Sequence, residues 1–357
     1  MDKVTQLDFS DQTVYIGLDV HKVKWSVSIY LETMFYKTYT QEASPEVLYK
    51  YLQKHFPNAS YKSVYEAGFC GFSIQRSLEK LGIECMVVHA SDVPTSHKEK
   101  VQKTDARDSR KLAYNLRASL LSGIHIPSEV LEQDRSLVRL RIRSATDITR
   151  IKNRIKAHLH FLGVPTATKA SGKKSWTKKH MAYLNSLVLS HASGQLTLQL
   201  LLEQLNYSVS LSTKLERHIK ALAMSEAYAT DFKLLISIPG VGDLTAMKLL
   251  TELGDIKRFS NVKRLCAYVG FMPTMHCSGD KYSTGRMVSR GNRFVKTALI
   301  ESAWTAIRHD PALLQCYVKL TKRMKENKAI VRIARKLLCR IFYVLTRQKP
   351  YEKGKVS

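Results

Sequence analysis

Four acidic residues in this chain of 357 residues are placed so that they could work together. Asp19 lies near the end of one β-rich run, in Gly17-Leu18-Asp19, and Glu66 near the end of another, in Tyr65-Glu66-Ala67-Gly68. Both runs are otherwise apolar, and an unpaired carboxylate there is costly to bury. Asp105 and Asp108 are three apart in Lys103-Thr104-Asp105-Ala106-Arg107-Asp108, a spacing that puts both on one helix face. Three of the four also have a plainer reading. Thr104 has the form of an N-cap, and first-turn acids suit the helix dipole in any case. Asp19 reads equally well as a solvated acid at a strand end. Together the four make an all-oxygen donor set for a hard divalent cation, magnesium or in its place manganese. Such a site activates a nucleophile and stabilises the leaving oxygen of a phosphodiester.

Two further motifs bear on phosphate chemistry. Ile238-Pro239-Gly240-Val241-Gly242 separates the helical patterns Phe232–Ser237 and Leu244–Leu253. A glycine-rich turn that opens a helix offers the backbone amides around Gly240 and Gly242 to phosphate. This suits a helix-hairpin-helix element gripping the DNA backbone, and equally a plain interhelical turn. Farther on, His276-Cys277-Ser278-Gly279-Asp280-Lys281 begins a polar loop that runs to Gly291-Asn292-Arg293. Lys281, Arg286, Arg290 and Arg293 have the chemistry of a phosphate clamp. A serine on such a loop attacks phosphorus only when a base or metal activates it. Ser278, Ser283, Thr284 and Ser289 all meet that description.

The elements that must position the acids follow from patterning. Thr13–Val20, Trp25–Leu31 and Met34–Thr40 are strand-like and joined by very short connections, which predicts an antiparallel meander. Ser44 and Pro45 open a helix in cap and first-turn order, to about Phe56. Tyr61–Ala67 then reads as a strand, Gly71–Leu81 as a helix, Ile83–His89 as a strand and Thr104 to about Leu121 as a helix. Right-handed crossovers onto a meander give a mixed α/β sheet covered by helices, in the order of a ribonuclease-H-like fold. The first and fourth strands are then parallel neighbours, so Asp19 and Glu66 emerge at one edge, where ligands of open α/β sheets commonly sit.

Strand signals fade in the middle of the chain. Ile148, Ile151, Ile155, Leu159 and Leu162 form one apolar seam; Leu198, Leu201, Leu205, Leu215, Ile219 and Leu222 form another. Two long helices around the polar stretch Thr166–Lys179 predict an antiparallel hairpin, or a coiled coil to a second subunit. The first helix is rich in cations: Arg135, Arg139, Arg141, Arg143, Arg150, Lys152, Arg154 and Lys156, with Lys169, Lys173, Lys174, Lys178 and Lys179 in the linker. The rest is mainly helical, and the wide apolar stripe of Asn327–Thr346 reads as core. The division expected is residues 1–125, 126–228 and 229–347, with a frayed basic tail at 348–357.

Composition narrows the partners. Lys and Arg number 57 against 30 Asp and Glu, a net charge of +27. Such an excess calls for a polyanion, and nucleic acid is the leading one because phosphate neutralisation supplies most non-specific affinity. Arg143, Arg150, Arg154, Lys173 and Lys174 read as its track, against the alternative of a solvated face. A membrane surface would need an amphipathic or lipidated anchor. Met1–Gln12 lacks the apolar core of a signal peptide, and no run is long enough to span a bilayer. The six cysteines show no C-x-x-C pair, which argues against zinc and disulfides and for the cytoplasm.

Gly17-Leu18-Asp19-Val20-His21-Lys22, Tyr65-Glu66-Ala67-Gly68, Lys103-Thr104-Asp105 with Asp108, Pro239-Gly240-Val241-Gly242, Cys277-Ser278-Gly279 and Gly291-Asn292 occur in that order over about residues 13–310. In this the chain resembles the DEDD transposases of bacterial insertion sequences, the insertion-sequence one-ten family, which includes pilin-gene invertases. The resemblance implies a RuvC-like domain with Asp19, Glu66, Asp105 and Asp108 as magnesium ligands. It implies a C-terminal transposase domain in which Ser278 forms a covalent phosphoserine with DNA. It also implies a bridge RNA pairing with donor and target DNA, a homodimer or homotetramer, and a place at the bacterial nucleoid. One departure from the family pattern is Cys277, where glutamine is common before Ser-Gly. Two other readings stand beside this one. The first is a RuvC-type, structure-selective endonuclease in which water attacks; the second is a non-catalytic nucleic-acid-binding protein.

Overall fold

The computed structural model describes residues 8–95, 104–166, 176–278, 281–288 and 290–353, with backbone alone at 275–278, 281–284 and 286. The chain divides into two compact units, Met1–Ile126 and Pro127–Ser357.

The first unit is built on a mixed five-stranded sheet in the order β3-β2-β1-β4-β5. Its strands are β1 (Thr13–Val20), β2 (Lys24–Tyr30), β3 (Phe35–Glu42), β4 (Ser60–Glu66) and β5 (Glu84–Val88). β1 runs antiparallel to β2 and parallel to β4, and β5 is parallel to β4. The meander with crossovers expected from patterning is therefore present. Helices α1 (Pro45–His55) and α2 (Ser73–Lys80) cover one face, burying Leu48, Leu52 and Leu78 against Val14, Ile16 and Leu18. Ser44 caps α1, its Oγ accepting from the Val47 amide at 3.2 Å, and Pro45 fills the first turn, where its missing N–H costs nothing. Helix α3 (Asp105–Arg117) covers the other face, with Leu112 and Leu116 against Val64 and Val88.

α3 lies in direct backbone contact with the sheet. A Cβ at Gly17 would fall 2.0 Å from the Ser109 carbonyl oxygen and 2.4 Å from the Ala113 nitrogen, so only glycine lets helix and strand meet there. Beside that contact, the buried Ser109 hydroxyl shares hydrogen bonds with Ser28 at 2.8 Å and Ser26 at 3.1 Å on β2.

Among its described residues, the second unit is helical apart from one hairpin. Its long helices α4 (Glu129–Phe161) and α6 (Ala192–Ala223) pack antiparallel, with the short α5 (Lys178–Ser186) against them. The register is visible in two contacts: Arg141 Nε donates to Glu216 at 2.9 Å, and His158 meets the Gly194 carbonyl at 3.2 Å. Ile151, Ile155 and Leu159 interleave with Leu198 and Leu205, as their spacing predicts, but the buried residue between these last two is Leu202, with Leu201 only partly buried, and Leu162 lies past the helix end and is exposed. The remaining elements are α7 (Ala229–Ile236), α8 (Asp243–Leu253), α9 (Val262–Val269), β6 (Pro273–Ser278), β7 (Lys281–Met287), α10 (Arg293–His309), α11 (Pro311–Thr321) and α12 (Glu326–Arg347). α12 buries Ile330, Ile333, Leu337 and Ile341 in the centre of this unit, so its apolar stripe is core.

Three expectations need correction. The polar loop after His276 is an antiparallel two-stranded hairpin, β6 with β7, in which Ser278 pairs with Lys281. The stretch expected as a linker to Lys179 already turns helical at Lys178, where Thr177 caps α5 by accepting from the His180 amide. The tail expected to fray is tied down at Tyr351, whose amide donates to Ser237 Oγ at 2.8 Å and whose hydroxyl donates to Asp310 at 2.5 Å. None of the described helices is long and apolar enough to cross a membrane.

Candidate active site

The carboxylate cluster forms where α3 begins, beside the end of β1. Register places Leu18 opposite Tyr65, so Asp19 and Glu66 are the next residues on parallel neighbouring strands and leave the sheet at the same edge. Asp105 and Asp108 occupy the first turn of α3, behind the Thr104 cap, whose hydroxyl accepts from the Arg107 amide. The Gly17 contact and the Ser26–Ser28–Ser109 bonds hold that turn over Asp19. One ligand atom from each of Asp19, His21 and Asp105 lies within 4.8 Å of the others. His21 Nε2 stands between the two acids, 3.4 Å from Asp19 and 3.5 Å from Asp105.

The electrostatics identify this as a site of crowded negative charge. The Asp19 carboxyl is held above the usual carboxylate range, first by burial and then by the charges of Asp105 and Asp108, while His21 acts the other way. Asp108 is mostly buried and has Lys111 Nζ at 3.3 Å. Glu66 is half-buried at the end of β4 and lies outside the tight trio. Of the four acids expected to act together, Asp19 and Asp105 are in close contact, Asp108 is within range of Asp19's charge, and Glu66 shares the edge. The donor set suits a hard divalent cation, since opposing carboxylates half out of water are a liability that such an ion removes. His21 and Asp105 line a cleft of about 760 Å³ whose walls add Lys22, Lys24 and Thr40.

His21 was not among the expected ligands. The signal was present: Asp19 and His21 are two apart at a strand end, and the period of a strand puts them on one side.

In the second unit, Ser278 is the last residue of β6, and Lys281 and Arg286 lie on β7. Gly279, Asp280, Ser289, Lys169, Lys173 and Lys174 lie outside the described residues, as do the side chains of Ser278, Ser283, Thr284, Lys281 and Arg286. The hairpin's base is fixed by two glycines. A Cβ on Gly291 would fall 2.7 Å from the Gly270 backbone, which leaves room for no side chain. The next residue, Asn292, caps α10 and donates from Nδ2 to Glu252 at 2.8 Å.

Glu252 is 1% exposed and heavily partnered. Arg139 grips it with two bonds of 2.6 and 2.8 Å, and Arg135 Nε stands 4.0 Å away. This revises the basic face of α4. Arg135, Arg139 and Arg141 make internal ion pairs, Arg150 pairs with Asp147 at 3.1 Å, and Arg143 and Arg154 are exposed. Arg290 and Arg293 are exposed beside the hairpin's base. The glycine turn divides in the same way. Gly240, at φ +87°, packs on α10, where a Cβ would meet the Ser302 carbonyl at 2.3 Å, whereas Gly242 opens α8 in free space.

The chain is similar to known proteins over both units. A profile described as a transposase of the IS110 DEDD type matches residues 16–163, which include all four acids. A second, described as "Transposase IS116/IS110/IS902 family", matches residues 232–318, which include the glycine turn and Ser278. The transposase for insertion sequence element IS1111A of Coxiella burnetii is 30% identical over 264 residues, 71% of this chain and 70% of that protein. The transposase for insertion sequence element IS1533 of Leptospira borgpetersenii is 28% identical, over 70% of this chain and 72% of its own length. The pilin gene-inverting protein of Moraxella bovis is 30% identical over 34% of this chain and 38% of that protein. The chain thus belongs to the IS116/IS110/IS902 family of transposases, enzymes that cleave and rejoin DNA.

Proposed function

We propose that this transposase breaks and rejoins DNA through Ser278, with a magnesium ion held by Asp19, Glu66, Asp105 and Asp108 on a RuvC-like, ribonuclease-H-like sheet. The observation that carries the reading is the crowding at α3's first turn, where burial and the neighbouring acids Asp105 and Asp108 raise the Asp19 carboxyl. A bound Mg2+, or Mn2+ in its place, would supply charge stabilisation for the phosphodiester oxygens. The chain's own groups do the rest. The Ser278 hydroxyl oxygen bonds to phosphorus, the bond from phosphorus to one DNA oxygen breaks, and that oxygen takes up a proton. A second DNA hydroxyl then attacks the phosphoserine and releases the serine. His21 orients the Asp19 and Asp105 carboxylates from its place between them.

The guide in this reading is a bridge RNA, and the exposed Arg143, Arg150 and Arg154 of the 126–228 region track nucleic acid; Lys173 and Lys174 are assigned to the same track from the sequence alone. Gly242, Lys281, Arg286, Arg290 and Arg293 contact backbone phosphates of the DNA held by the 229–347 domain. Gly240 serves by shaping the turn. Self-association into dimers or tetramers is supported by an exposed apolar stripe on α6, Leu196, Leu200 and Tyr207, of the kind a coiled-coil partner covers.

The test is a reaction of the full chain with Mg2+, guide RNA and DNA, followed by denaturing electrophoresis. A denaturation-resistant protein–DNA adduct is expected, lost in Ser278→Ala. An adduct that survives that substitution overturns the serine, and full recombination by Asp105→Asn overturns the metal site.

A further inference from the structure

A groove of about 1180 Å³ runs in the second unit between the hairpin and the first turns of α12. Its floor is apolar: Phe271, Pro273 and Met287 from the hairpin side, Met324 and Val331 from the helix side. Its rim is cationic. Lys328, Arg332, Arg335 and Lys336 line it, all exposed, and none makes an ion pair with an acid among the described residues. Their spacings of four, three and one put them along one side of α12. From Lys328 to Lys336 the helix rises ~12 Å, at ~1.5 Å per residue. A stacked nucleic-acid strand places about three phosphate steps over that length, at ~3.4 Å each.

Charge and floor together select the ligand. A row of exposed cations with no acidic partner among the described residues suits a phosphate backbone. An apolar floor beside it has nothing to meet on a duplex, whose base faces are stacked away, but it suits the bases and sugars of an opened strand. We propose that this groove holds a single strand of DNA, with its phosphates along α12 and its bases toward the floor. The inference rests on the DNA-rejoining reading above, and it places the strand against the hairpin that carries Ser278. The strand to be cut is thereby separated from its complement before chemistry. Arg335 also lies near enough to the buried Cys266 to favour its thiolate, so it is set aside; Lys328, Arg332 and Lys336 are the positions used to report on binding.

The experiment uses the full chain carrying Ser278→Ala, in chelator, so that neither chemistry nor metal contributes. Fluorescence anisotropy follows a labelled DNA strand of about 16 nucleotides, its duplex, and the same sequence as RNA, over a salt series. Adding Lys328→Gln, Arg332→Gln and Lys336→Gln is expected to weaken single-stranded DNA roughly tenfold or more. It should also flatten the dependence of log K on log salt by about 2, from ~0.7 per lost contact. An unchanged slope overturns the groove as a binding site. An equal loss on duplex overturns the single strand, and a larger loss on RNA hands the groove to RNA. If the triple variant loses its fold by circular dichroism, Lys328→Gln and Arg332→Gln are read singly, each expected to lower the slope by about 0.7. Because no adduct is measured, a failed serine assignment leaves these outcomes unaffected.

Discussion

The two units treat an acid withdrawn from water in opposite ways. Glu252 in α8 is sealed from water and fully matched, with two bonds from Arg139, one from Asn292 and Arg135 close by. Asp19 at the end of β1 is only partly buried, and its neighbours are two more acids and a histidine. The first arrangement is complete and ties α4, α8 and the base of the hairpin together. The second is incomplete as protein alone, since its charges oppose one another. Glu252 gathers its counter-charges from the chain, whereas the charges around Asp19 are left for a counter-charge from outside on the function proposed above.

Breaking the complete arrangement should have the largest effect. Glu252→Ala strands Arg139 and removes the tie to Asn292, while Arg135 keeps its bond to the Thr251 carbonyl; a broken buried pair costs about 3–5 kcal/mol. Urea unfolding measures it, and a loss below about 1 kcal/mol would mean the cluster behaves as a surface pair. Gly17→Ala comes next: its Cβ must push α3 off β1, at about 1–3 kcal/mol of overpacking, and recombination should fall with the displaced Asp105 and Asp108. A variant of normal activity would show that the helix position is not what sets the site. Magnesium then sharpens the comparison. At about ten times its Kd it should stabilise the wild type by about 1.4 kcal/mol and leave Asp105→Asn unmoved; equal shifts in both proteins place the ion elsewhere.

The smallest effect is one of pH. The folded carboxyl of Asp19 is raised, so its protonated form is favoured by folding, and that contribution is lost as pH rises through the folded value. In chelator, the advantage of Asp19→Asn over wild type should grow as pH climbs above ~4, and excess magnesium should reverse it. A flat difference between pH ~4 and ~7 would remove burial and the neighbouring acids as the cause.

How much of this was legible varies with the range of the cause. Strand order and the shared edge of Asp19 and Glu66 follow from local alternation and short connections, and both are observed. The hairpin was misread as a loop because its residues are polar. Yet Gly279-Asp280 between two alternating runs is a common two-residue connection, and the partners Ser278 and Lys281 flank it. Glu252 was invisible for a different reason: its partner Arg139 is 113 residues away, and an arginine on a basic helix looks the same whether it faces solvent or a buried acid. No period or motif distinguishes those two cases.

The contact at Gly17 carries one more consequence. The separation between Asp19 and the start of α3 is set where two main chains touch, by atoms common to every residue type, with the Ser26–Ser28–Ser109 bonds beside that contact. The closest approach of helix and strand is thus inherited from one absent methyl group, and any side chain at position 17 carries Asp105 and Asp108 away from Asp19 together, as one rigid turn.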